Sequence, residues 1–211
     1  MAGVYRWMFA GLVVTAGVAL YTASSLAVLQ FVYNLRWVFY LATFALVVVL
    51  SALAHRLSGF VAGVLFLAYA ALTGLIFSFI FVVYELGSVW QAFLLTGGAF
   101  LALSIYGTVT KRNLDAWSTF LVMGLIGVVL AGLVQLFWTS PGFSFVVSCA
   151  CVVVFAGLTA WDTQKLRTWA AMTAMEGREG TAALPVAGAL VLYLDFVNLF
   201  LALLRLFGRR R

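Results

Sequence analysis

The chain has 211 residues, of which 66% are hydrophobic and only 9% charged, against roughly a quarter charged in an average soluble domain. That balance excludes an ordinary soluble enzyme. A span across the hydrocarbon core takes about 20 apolar residues, so seven spans use about 140 residues and leave only short loops, with no room for a separate catalytic, nucleotide-binding or DNA-binding domain. The net charge of +6 flanks apolar segments and says little about nucleic acid, which is not expected as a partner.

The gaps between charged residues locate the spans. The uncharged run after Trp7 predicts a first helix over 8–30. Arg6 ahead of it superficially suits a secretory signal, but the run is too long and lacks a small-residue cleavage site, so a retained helix is expected. A second helix over 37–54 ends at His55 and Arg56, a third over 59–84 stops before Glu85, and a fourth over 89–110 stops before Lys111 and Arg112. The uncharged stretch from Ala116 to Trp161 is too long for one helix. The turn signal Thr139-Ser140-Pro141-Gly142 divides it into 116–138 and 143–164. The last span, 183–207, is the only one with an acid, Asp195, near its centre. The fold expected is all-α and polytopic, seven transmembrane helices in a single integral-membrane domain over 1–211.

If the helices alternate, the N-terminus and the second, fourth and sixth loops share Arg6, Arg56, Lys111, Arg112, Lys165, Arg167 and Arg178. The other side holds Arg36, Arg205, Arg209, Arg210 and Arg211. The first side is richer in cations, which favours a cytoplasmic N-terminus. The Arg209–Arg211 tail objects: either it lies outside, or the seventh segment does not fully cross. Cys149 and Cys151, two residues apart on one helix, point to different faces and read as buried small hydrophobes. Gly11, Gly17, Gly63, Gly74, Gly124, Gly127 and Gly132 suggest close helix packing.

An ionisable group in hydrocarbon needs a partner or a task. A helix beginning near Ala183 places Asp195 about 18 Å in, close to the midplane. Gly188, Asp195 and Ala202 repeat at seven residues and Asn198 follows Asp195 at i+3, a stripe of small and polar groups facing a bundle interior or pore. Asp162 closes the sixth helix, where the plain alternative is a solvated acid beside Lys165. Asp162 and Asp195 flank the sixth loop, so they sit on adjacent helices. Their depths match only if the sixth helix runs on past the lipid boundary or if Leu184–Gly188 lies in the interface. Carboxyl groups that do approach share one proton and titrate as a unit, holding the helices together until that proton is lost. Arg56, on the same side as the sixth loop, is the candidate partner for Asp162 when the pair opens; anchoring to headgroups is its plain alternative. His55 reads as a flanking residue, and Glu85 as a cap or solvated acid.

No enzyme is expected. A retinal photoreceptor needs a lysine in its last helix, and Lys111 and Lys165 are not intramembrane. A serine intramembrane protease needs a buried histidine base. An aspartyl protease would share a proton between two aspartates, but bulky Leu192 and Leu194 stand where its second motif carries glycine.

Three segments carry a resemblance. Tyr106-Gly107-Thr108-Val109-Thr110-Lys111-Arg112-Asn113-Leu114, Asp162-Thr163-Gln164-Lys165, and Ala189 to Leu201 with its Leu-Tyr-Leu-Asp-x-x-Asn-Leu-Phe run resemble the Bax inhibitor-1 family. The opening Tyr5-Arg6-Trp7-Met8 and Gly11-Leu12 look like its first helix. The resemblance implies a bundle with the last helix central and a calcium leak regulated by pH. It matches Asp162 and Asp195 to a proton-sensing dyad and Arg56 to an arginine that pairs with it on opening. Relatives that bind calcium carry an acid in the second helix, whereas 37–54 has none. The expectation is therefore a weak calcium site at Asp162 and Asp195, calcium as the transported ion and no cofactor.

Two hypotheses compete: a proton-gated cation leak, and a non-conducting regulator with membrane-protein partners, for stress or protease modulation. A proton-coupled transporter is a third. The preference for arginine over lysine points to a bacterial cytoplasmic membrane, with lipid, calcium and protons as partners.

Overall fold

The computed structural model describes residues 1–53, 57–135, 137–138, 140–175 and 183–211. They form α1 (Ala2–Ser24), α2 (Leu26–Asn34), α3 (Arg36–Leu53), α4 (Gly59–Phe77), α5 (Ile80–Val83), α6 (Leu86–Val109), a 3-10 turn (Leu114–Trp117), α7 (Ser118–Gln135), α8 (Pro141–Met175) and α9 (Leu184–Phe207). Among the described residues seven segments are long and apolar enough to cross a membrane, α4 with α5 and the 3-10 turn with α7 each counting as one.

The helix limits depart from the charge-based expectation for physical reasons. α1 begins at Ala2, ahead of Arg6, because a single exposed arginine near a helix end does not stop backbone hydrogen bonding. It ends at Ser24, whose hydroxyl donates to Tyr21 O (2.7 Å) and competes with the helical pattern, and Ser25 is extended. α8 differs most. It runs for 35 residues, about 52 Å, so Asp162 lies inside the helix and does not close it. Lys165 and Arg167 do not end the hydrogen-bonded backbone of α8.

The chain divides into two compact units. The first contains Met1–Glu85, Ala170–Tyr193 and Arg210–Arg211. Here α1 lies against α4 with very close backbone approach. A Cβ at Gly63 would stand 2.6 Å from the Trp7 ring, one at Gly11 2.6 Å from Phe66, and one at Gly74 2.7 Å from Thr15 O. The pairs Trp7 with Gly63, Gly11 with Phe66, Thr15 with Ala70 and Val18 with Gly74 advance together, so the two helices run parallel. First and third spans therefore cross in the same direction, as strict alternation requires. Tyr193 of α9 fills the middle of this unit, edge-to-face with Phe66 (5.7 Å) and Tyr69 (5.8 Å). Thr15 gives its hydroxyl proton to Ala70 O (2.9 Å), which leaves its oxygen to accept from the Tyr193 hydroxyl at 2.6 Å. The buried hydroxyls of Thr15 and Tyr193 thus have the partners that hydrocarbon demands.

The second unit contains Leu86–Trp169 and Leu194–Arg209. Its core joins Leu121, Val147, Cys151, Val154, Phe155 and Leu158 to Leu199, Ala202 and Leu203 of α9. Phe196 of α9 meets Phe93 (5.6 Å) and Phe100 (5.5 Å) of α6. Cys151 is buried in this core and both cysteines are free thiols.

The last span is by far the most enclosed. In its apolar window 72% of residues are buried, against 6% to 44% in the other six, the enclosure expected of a central helix. Its 24 residues cover about 36 Å, more than the roughly 30 Å hydrocarbon core, so it is long enough to cross. Arg210 pairs with Tyr84 in a short antiparallel bridge, and Arg211 N donates to Val83 O at 2.9 Å. The arginine tail therefore lies on the side of the third loop.

Candidate functional site

Within the second unit, Asp195 sits midway along α9, about 17 Å from the helix start, and is only 4% exposed. Asp162 projects from α8 and is half-buried. The two side chains lie near enough for each carboxyl group to act on the other. α8 continues thirteen residues beyond Asp162, to Met175, so Asp162 lies within a helix and not at its end. Asp195 Oδ2 is fully buried and has no hydrogen-bond partner among the described residues. An oxygen so placed is costly unless it holds a proton or meets a cation or water.

The other expected residues are distributed differently. Asn198 gives its amide Nδ2 to Leu194 O (2.8 Å), on its own helix. Gly188 is buried in the first unit. Arg56 and His55 lie outside the described residues. Among the described residues no group of three or more His, Cys, Asp or Glu side chains could hold a metal ion. The pair alone supplies four carboxylate oxygens, fewer than the six to eight oxygen ligands usual for calcium.

The polar residues around Asp162 had no assigned role in the sequence, and they build the site's frame. Gln164 clamps the loop after α6, its Oε1 accepting from Leu114 N and its Nε2 donating to Arg112 O, both at 2.9 Å. Trp161 Nε1 donates to Asp115 Oδ1 (2.7 Å), Arg167 donates to Thr108 O, and Thr163 Oγ1 reaches Ser104 Oγ at 3.5 Å. Gly107 brings the α6 backbone directly against the Ala160 carbonyl. The two motifs, Tyr106–Leu114 and Asp162–Lys165, therefore hold each other, and Asp162 hangs from a helix tied down on both sides of it. No signal in the sequence gives Gln164 this role, because the backbone groups it binds belong to another segment.

A family model described as "Inhibitor of apoptosis-promoting Bax1" matches residues 1–211. The "Inner membrane protein YbhL" of Escherichia coli strain K12 is 46% identical over 215 residues, covering all of this chain and 92% of that protein. Uncharacterized proteins of Deinococcus radiodurans and Borreliella burgdorferi are 46% and 38% identical, again over the whole chain and 90% and 92% of their own lengths. With seven apolar spans, a match over every residue and an inner-membrane relative, this chain is an integral membrane protein of the Bax inhibitor-1 family, a family of non-catalytic membrane proteins.

Proposed function

We infer that this protein is a passive cation leak, for calcium in the first place, opened and closed by the proton shared between Asp162 and Asp195. What supports the reading is the closeness of the two carboxyl groups on α8 and α9, one of them at the middle of the most enclosed span. With one proton between them the pair is a hydrogen bond that ties the helices. Without it, two like charges repel where little water screens them. The unpartnered Asp195 Oδ2 then offers a passing cation a ligand. Two carboxylates make a weak site, which suits an ion that must enter and leave. Arg56, at the end of the second span, would take the freed Asp162 carboxylate, and the N-terminus would face the cytoplasm.

The sign follows from the proton: loss of the shared proton opens the pair, so flux rises with pH. Purified protein in lipid vesicles with an imposed calcium gradient is expected to pass calcium, more as the pH is raised through the titration of the pair. Vesicles that hold their gradient at every pH would overturn the reading. They would favour a non-conducting regulator of other membrane proteins.

A further inference from the structure

Lys165 follows Asp162 by three residues on α8, so it lies on the same face about 4.5 Å further along the axis. Its Nζ is held between two indole rings, 4.8 Å from the Trp161 centroid and 5.1 Å from that of Trp169. Trp161 is itself fixed by its hydrogen bond to Asp115. The ammonium is therefore not a solvated charge on a free stem. At one helical turn's distance its charge acts on the Asp162 carboxylate. The neighbouring cations are differently employed: Arg167 is engaged on Thr108 O, while Lys111 and Arg112 are exposed in the loop.

A positive charge held in this position is unfavourable for any cation approaching the aspartates from that end. We propose that Lys165, caged by Trp161 and Trp169 one turn beyond Asp162, is a fixed electrostatic barrier that limits cation entry to the aspartate pair and disfavours divalent ions most. The inference deepens the leak reading and rests on it. Its signature comes from valence. The energy of an ion in a given potential scales with its charge, so a change that raises monovalent occupancy about threefold raises divalent occupancy about tenfold. A purely structural role for Lys165 has no reason to follow that square relation.

The test compares calcium and potassium flux into vesicles for the wild type, Lys165→Gln and Lys165→Arg at one pH, chosen above the titration of the aspartate pair in all three so that its charge state is the same. The expected result is that Lys165→Gln raises both fluxes, calcium by about the square of the factor for potassium, while Lys165→Arg stays near wild type. Raising the ionic strength should shrink the difference. Wild-type flux with Lys165→Gln unchanged, or with both ions changed by the same factor, would overturn the barrier and leave the leak standing. No flux in the wild type would remove the leak and the barrier together.

Discussion

Asp195→Asn is expected to flatten the pH dependence of calcium flux, Asp162→Asn to do the same, and the double variant to add nothing further. Asparagine keeps the size and hydrogen-bonding capacity of the side chain and removes its titration. Repulsion needs both charges, so deleting either abolishes it, and the two substitutions are non-additive. Two unit charges about 4 Å apart at an effective dielectric near 20 repel by about 4 kcal/mol. That corresponds to a shift of roughly a thousandfold between tied and parted helices, enough for a mostly closed pair to become mostly open. The flux profile of each variant in vesicles checks this. A variant that retains the wild-type pH profile would show that its carboxyl group is not half of the switch.

The largest stability effect is expected at Gly107. An added Cβ there would fall on the Ala160 carbonyl, a backbone atom that cannot turn aside, whereas nothing lies within 4 Å of a Cβ at Gly98 on the same helix. Gly107→Ala should therefore cost about 1–3 kcal/mol as an overpacked contact. Gly98→Ala should be neutral or gain up to about 1 kcal/mol from helix propensity. Thermal unfolding of the two variants in detergent separates them. The clash also pushes α6 away from the residues that frame Asp162, so Gly107→Ala should weaken the pH response as well. At Gly11 the obstacle is the edge of the Phe66 ring, which can move, and the penalty should be smaller. Equal stability of Gly107→Ala and wild type would contradict the close α6 to α8 contact.

The number of spans was legible because charges are so scarce that each one marks a boundary of burial. What they do not mark is the end of a helix, and α8 carries its backbone on past Lys165 and Arg167 for that reason. The same overrun places Asp162 inside a helix, where the charge pattern alone puts it at an end. Packing faces were harder to read. Gly11, Gly63, Gly74 and Gly124 do stand at close contacts, but Gly17, Gly127 and Gly132 face nothing within 4 Å, and Gly107 and Gly157, both tightly packed, were not singled out. On helices apolar all round, periodicity carries no information about which side is turned inward. The two aspartates stood out because an acid in an apolar helix is expensive. Gln164 did not, because its value lies in backbone groups of another segment that only the folded chain brings within reach.

The central claim is that Asp162 and Asp195 share one titrating proton, and infrared difference spectroscopy of the carboxylic acid band during a pH titration in lipid tests it most directly. The wild type should lose one acid proton per chain over the pH range in which flux changes, and neither Asp162→Asn nor Asp195→Asn should lose it over that range. Absence of such a band in the wild type, or its unchanged loss in either variant, would contradict the shared proton.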